Sequence, residues 1–171
     1  MNLVVLLISI MFKIIDNVLP EEEFLKIKNF MLNPHFPWNL TTVVSNEKEN
    51  LPTSASYYFT HEFWSGFHTE PEVQVFAPIL NKIECRAVMR IKGNLYPSTE
   101  TIVHHMDHID YEFPHRGAIF YINTNNGLTV IDGKEVESIE NRLLLFDPAI
   151  PHHSTTCTND KCRVNVNFNF F

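Results

Sequence analysis

The chain has 171 residues, 44% hydrophobic and 19% charged, with a formal net charge of −7. That is enough for one domain whose core needs no covalent staples, and the composition is that of an ordinary water-soluble globular protein. The acidic balance, with a pI near 5.7, argues against a protein that grips nucleic acid or an anionic membrane through charge, although a small acidic ligand needs only one local cation.

The first ten residues, "MNLVVLLISI", form an apolar run that ends before Lys13. A bilayer span needs about 20 apolar residues, and the run has neither a basic leader nor a small-residue cleavage site. Residues 1–11 therefore read as an apolar extension, with Met11 an alternative start, ahead of a single domain over 12–171. Residues 20–32, "PEEEFLKIKNFML", predict a helix. Pro20 suits the first helical position, three glutamates suit the positive end of the helix dipole, and Phe24, Ile27 and Met31 share a face. Residues 33–70 are turn-rich, with a strand in "SASYYFTHEFW". A second helix is predicted from residue 73 through "VQVFAPILNKIECRAV".

From residue 88 onward the pattern changes to short strand-like runs: "MRIKGNLY", "TETIVHHMD", "GAIFYINT", "GLTVID", "KEVESI", "NRLLLFD" and "CRVNVNFNF". Turn signals such as Asn-Asn-Gly, Asp-Gly and Asp-Pro separate them. Helices followed by many short strands predict an α+β, mainly β fold: a barrel or jelly roll with the N-terminal helices packed outside. In the last run Arg163, Asn165, Asn167 and Asn169 alternate with Val164, Val166, Phe168 and Phe170. Period two puts the polar set on one face, either a wet outer face or one with Arg163 aimed into a polar pocket. Cys85, Cys157 and Cys162 are odd in number and form no C-x-x-C, so they read as free thiols of a reducing, cytoplasmic compartment.

The stretch "TIVHHMDHIDYE", residues 101–112, holds two His-x-Asp pairs, His105-Met106-Asp107 and His108-Ile109-Asp110. Two imidazoles and one carboxylate on one side of Fe(II) leave three positions open, enough for a bidentate 2-oxo acid and dioxygen. The spacing works because residues i and i+2 of a strand point the same way. The third ligand must then come from another strand, and "DPAIPHHSTT" offers His152 and His153. On a regular strand Thr101, Val103, His105 and Asp107 share one face, and His104, Met106 and His108 the other, so the pattern alone does not choose between them. A closed zinc site is disfavoured because no cysteine accompanies the cluster. His35, His61 and His68 are scattered and read as surface or core residues.

From Phe12 onward the sequence resembles the Fe(II)- and 2-oxoglutarate-dependent dioxygenases of the prolyl 4-hydroxylase-like type, especially their compact viral and marine-microbial members. "FPWNL", "RIKGNLYP", "HMD", "GAIFYIN", "NGLTV", "NRLLLFD" and "HHSTTCTNDKCRVNVNFNF" occur in the family's order. The resemblance implies a double-stranded β-helix with the metal at its open end. In the family a tyrosine follows the His-x-Asp by about fourteen residues. Tyr121 stands fourteen after Asp107 but eleven after Asp110, which selects His105 and Asp107. The related pattern His-x-Ser/Gly-Thr-Thr selects His152 as distal ligand, with His153 the alternative. Arg163 matches the basic residue that pairs with the far carboxylate of 2-oxoglutarate, and the planar guanidinium suits that task. Tyr121 is implied to donate to the same carboxylate, and Asn94 and Tyr96 to line the pocket. The loop between His152 and Arg163 is slightly long for the broader family.

The function so implied is hydroxylation of a substrate that the sequence does not identify, peptidyl proline or a small molecule. Fe(II) is the metal, 2-oxoglutarate and O2 are co-substrates, ascorbate is the reductant, and succinate and CO2 are released. No nucleic-acid or membrane partner is expected. The location implied is the cytoplasm, or the host-cell cytoplasm for a viral member. The rival readings are a non-catalytic jelly-roll binding or virion-associated protein and a zinc-dependent cupin-like enzyme.

Overall fold

The computed structural model describes residues 12–44 and 51–171; the apolar extension over 1–11 lies outside them. Among the described residues no helix is long and apolar enough to cross a membrane.

The first helix, α1 (Glu21–Met31), starts after Pro20, carries Glu21, Glu22 and Glu23 in its first turn and Lys28 in its last, and buries Phe24, Ile27 and Met31. It follows the predicted span closely, because dipole complementarity and a 3.6-residue apolar stripe agree. The second predicted helix is shorter and begins differently. A 3₁₀ segment over Pro71–Phe76 leads into α2 (Ala77–Lys82), with Pro78 in its first turn. Proline lacks the N–H that a continuous helix from residue 73 would need at position 78. The helix therefore starts again at Ala77, and it ends where Glu84 takes a positive φ of 52°.

Eleven strands are formed among the described residues: β1 (Phe12–Ile15), β2 (Asn39–Thr41), β3 (Tyr58–Ser65), β4 (His68–Thr69), β5 (Val88–Pro97), β6 (Arg116–Tyr121), β7 (Asn125–Ile131), β8 (Lys134–Ser138), β9 (Leu143–Phe146), β10 (His152–Ser154) and β11 (Cys162–Phe170). They make two sheets with antiparallel pairing throughout. The larger runs β1-β9-β6-β11-β5-β3-β2, with β4 beside β3, and the smaller runs β10-β7-β8. The fold is therefore mixed α+β and mainly β. Asp132 and Gly133, both at positive φ, make the tight β7–β8 hairpin that the Asp-Gly signal announces.

β11 organises the two faces of the larger sheet. Val164, Val166, Phe168 and Phe170 join Phe24, Ile27 and Met31 of α1 and Ile79 of α2 in the main core. On the opposite face Ile119 and Tyr121 of β6 and Leu144 and Phe146 of β9 pack on Ile131 and Val136 of the smaller sheet. The polar set of β11 looks to this second side, and Arg163, Asn165, Asn167 and Asn169 are all buried there. Of the two sequence readings of that alternation, the wet outer face is replaced by a polar interior.

One predicted strand does not form. The run "TETIVHHMD" is irregular, and it and the residue after it meet the chain around β10 through two isolated bridges, His104↔Thr155 and His108↔His152. From 104 to 108 is four steps along one chain, while from 155 to 152 is three along the other. One extra residue is therefore accommodated as a bulge, which reverses the inward–outward parity beyond it.

Asn141 ties the chain entering α1 to this framework. It sits at φ 57°. Its side chain accepts from Leu19 N (3.1 Å) and donates to Leu19 O (2.8 Å), while its backbone binds Val18 N and Tyr121 O. Asn141→Ala leaves both Leu19 groups unpaired at a strained φ and is expected to destabilise the fold by about 2–4 kcal/mol, read from urea unfolding.

Candidate metal centre and its pocket

The bulge sets His108 directly against His152. Their backbones exchange two hydrogen bonds of 3.0 Å, and their ring centroids are 4.6 Å apart. Each Nδ1–H donates to a carbonyl two residues back, Met106 O at 3.4 Å for His108 and Ile150 O at 2.8 Å for His152. That fixes the tautomer and leaves both Nε2 lone pairs free. Asp110 follows two residues after His108 and is held from several sides. Arg90 Nη2 donates to Oδ1 (3.0 Å), and Asn167 (3.2 Å) and Asn169 (2.8 Å) donate to Oδ2. The ligand atoms of His108, Asp110 and His152 lie within 4.8 Å of one another, the one such group among the described residues.

Protonation suits this donor set. Burial, then the neighbouring His152, lowers the His108 pKa and keeps the ring neutral. Burial works to raise Asp110, but the Arg90 charge and the Asn169 and Asn167 hydrogen bonds outweigh it and bring the carboxyl down to about 2. Two imidazoles and one ionised carboxylate fit a divalent ion that keeps open positions, the non-haem Fe(II) arrangement. A closed structural zinc site would need a fourth protein ligand.

The residues selected from the sequence fall partly elsewhere. His105 is buried, with Nδ1 2.9 Å from Ser154 Oγ and its ring stacked on Tyr96 at 5.4 Å. Burial, reinforced by the Arg163 charge, lowers it to about 3. Asp107 is exposed and accepts from His153 Nδ1 at 2.6 Å, and His153 Nε2 is 3.1 Å from His104 Nδ1. The structure thus groups His152 with His108 and Asp110, not with His105 and Asp107, while His153 lines the same pocket and pairs with Asp107. Both His-x-Asp pairs were visible in the sequence. The one-residue mismatch that sets His108 opposite His152 was not, because no turn residue marks it.

A second cluster lies further along β11. Arg163 is fully buried. Its Nε donates to Ser138 Oγ and its Nη2 to Thr129 Oγ1, both at 2.8 Å. Its Nη1 is buried without a partner. Tyr121 donates its hydroxyl to Thr129 Oγ1 at 2.8 Å. Both lone pairs of that oxygen are then used, which leaves the Thr129 hydroxyl proton to donate elsewhere. Tyr121 therefore acts through Thr129, a residue sequence reasoning did not single out. Asn94 donates to Asn165 Oδ1 at 3.1 Å, and Tyr96 stacks on Tyr58 at 5.2 Å. Gly127 makes room for the guanidinium stem, since a Cβ there would stand 2.5 Å from Arg163 Cδ. Asn94, Tyr96, Thr129 and Arg163 line one pocket with His108 and His152.

No protein-family model matches the chain, and no curated protein matches it. Solved structures do resemble it. A prolyl hydroxylase from Trichoplax adhaerens, in complex with a hypoxia inducible factor oxygen degradation domain peptide, superposes with a TM-score of 0.66 at 14% identity, over 95% of this chain and 84% of that one. A viral collagen prolyl hydroxylase from Paramecium Bursaria Chlorella virus-1, complexed with 2OG, gives 0.58 at 12% identity, over 94% and 96%. HygX from Streptomyces hygroscopicus, with nickel, 2-oxoglutarate and hygromycin B bound, gives 0.58 at 10%, over 94% and 82%. At such identities the likeness is one of fold.

Two outcomes are expected. After anaerobic Fe(II) loading, His108→Ala, Asp110→Ala and His152→Ala should each lose stoichiometric metal, whereas His104→Ala, Asp107→Ala and His153→Ala should keep it. Metal analysis reads both sets, and retention by Asp110→Ala with loss by Asp107→Ala would move the site. The second concerns acid stability. Because the folded Asp110 pKa is depressed, its contribution is complete above the unfolded value of about 3.9 and fades as pH falls toward 2. Asp110→Asn should flatten that part of the acid-unfolding curve of the metal-free protein.

Proposed function

We propose that the chain is an Fe(II)- and 2-oxoglutarate-dependent dioxygenase whose two sheets are the halves of a double-stranded β-helix. In that reading β9, β6, β11 and β5 form one half. β8, β7, β10 and the bulged segment around 104–108 form the other, the last strand being reduced to its two bridges. The resemblance in ordered sequence motifs and the fold-level likeness to 2-oxoglutarate-binding structures both support it.

The observation that carries the reading is Arg163. A fully buried guanidinium with an unpartnered Nη1 and no carboxylate beside it among the described residues is costly unless an anion joins it. It lines the same pocket as His108 and His152. A dicarboxylate that chelates a metal at one end meets both requirements. His108, Asp110 and His152 would hold Fe(II). Bound there with 2-oxoglutarate and O2, the metal supplies oxidative decarboxylation to succinate and CO2 coupled to insertion of one oxygen atom into a substrate C–H bond.

The chain's own residues prepare that chemistry. Arg163 offers Nη1 to the far carboxylate, and Thr129, its oxygen already saturated by Tyr121 and Arg163, turns its hydroxyl proton into the pocket. Tyr96 and Asn94 wall the co-substrate, and the Tyr58 and His105 rings both stack on Tyr96. His105 stays neutral and adds no charge beside Arg163. Asp110 enters ionised because Arg90 and two asparagines keep it so. Peptidyl proline is the substrate reading that the motifs favour, and ascorbate the expected reductant.

The test is succinate formation with Fe(II), ascorbate and 2-oxoglutarate. Arg163→Ala should raise the 2-oxoglutarate requirement more than about tenfold, as loss of a sheltered charge-assisted pair does, while Fe(II) content stays near that of the unaltered protein. Arg163→Lys should recover part of the loss. An unchanged requirement in Arg163→Ala would mean that another group anchors the co-substrate.

A further inference from the structure

Beside the metal group stands a cation that the mechanism does not use. Lys92 lies on the inward face of β5, two residues from Asn94, and pairs across the strands with Asn167 of β11 and Glu62 of β3. Asn94 and Asn167 line the pocket, and Lys92 is the neighbour of both on this face, two residues from the one and across the strands from the other. Among the described residues it has no hydrogen bond and no ion pair; its ammonium lies 5.8 Å from the centre of the Tyr58 ring. Asn167 Oδ1, directly across from it, is also buried without a partner.

The surrounding charges do not balance. Arg90 and Lys92 follow one another on this face of β5, and Arg163 faces the pocket from β11. Asp110 is the one buried carboxylate among them, and it already takes the Arg90 hydrogen bond. Asp110, and then Glu62, which is exposed on β3, attract Lys92, each less than Arg90 repels it. A metal dication and a 2-oxoglutarate dianion cancel each other, so loading the site leaves the excess of cations in place. Burial first, then Arg90, draws the Lys92 pKa down to about 8, as expected for an ammonium placed where its charge lacks compensation.

Resting on the dioxygenase reading, we propose that the primary substrate carries an anionic group, a carboxylate or a phosphate, and that Lys92 binds it at the edge of the metal pocket. Asn167 Oδ1 offers an acceptor to an N–H or O–H of the same substrate. Lys92 is thereby a specificity-determining residue. It selects acidic peptides, free amino acids or phosphorylated metabolites over neutral ones.

The experiment uses the full chain loaded with Ni(II) as a redox-inert metal. Calorimetry with 2-oxoglutarate comes first; failure of the unaltered protein to bind it would sink the dioxygenase reading itself. The loaded complex is then titrated with N-acetylproline as free acid, with its carboxamide, and with inorganic phosphate. The expected result is a saturable second anion site that prefers the acid or phosphate over the carboxamide by about tenfold or more. That preference should disappear in Lys92→Met and Lys92→Gln and persist in Lys92→Arg. The proposal is overturned if 2-oxoglutarate binds and no second anion site exists, or if the preference is unchanged in both neutral variants.

Discussion

A buried amide is costly wherever one of its donors or acceptors lacks a partner, and β11 buries three of them in a row beside an arginine. This constraint shapes the site. Asn165 is met by Asn94, Asn167 and Asn169 are met by Asp110, and Asn169 also takes Arg90 and His115. The carboxylate of the candidate metal centre is thus one member of a polar layer along the inner face of the larger sheet, in which Asn94 Oδ1, Asn167 Oδ1 and Arg163 Nη1 are left without a partner among the described residues. Metal-ligand geometry and sheet stability come from the same hydrogen bonds.

The same strand separates two kinds of interior. Its apolar side chains belong to a core shared with α1 and α2. Its polar side chains face a pocket whose apolar floor is a smaller cluster between the sheets. Burial acts on the ionisable groups there in opposite senses. It lowers His105, His108 and Lys92, and it would raise Asp110 but for Arg90 and the asparagines. His108 is left as a neutral donor and Asp110 as an anion, the states in which such groups bind metal.

Much of this was legible in the sequence. The period-two alternation of β11, the Asp-Gly hairpin and the glutamate-led helix each rest on local chemistry and appear where the pattern put them. The mainly β class followed from the same signals. What escaped were features set by distant chain. Proline at 78 cut a helix that hydrophobic spacing alone extended. The segment 99–107 reads as a strand by alternation, but the stretch it meets around β10 is short, and a one-residue mismatch between them sets His108 opposite His152. Counting residues to Tyr121 assumed a regular strand and favoured His105 and Asp107, whereas the bridges bring His108 and Asp110 beside His152. Thr129 escaped because its role depends on two donors, Tyr121 and Arg163, that reach it from other strands.

The repeat in β11 also bears on how the chain reaches this arrangement. Asn-x-Asn-x-Asn looks nearly the same to its neighbours after a slide of two residues, about 7 Å along the strand. Such a slide keeps every apolar side chain on the helix side. Alternation therefore selects the face but leaves the pairing with β5 and β6 nearly degenerate over the repeat. Two non-repeating ends break the tie. Arg163 reaches Ser138 and Thr129 from one position only, and the irregularity between Asn169 and Phe170 stops travel at the other end. During folding, a slipped β11 would be a compact, well-buried trap with its guanidinium stranded. The Arg163 contacts with the β7–β8 hairpin therefore favour the native alignment over a slipped one.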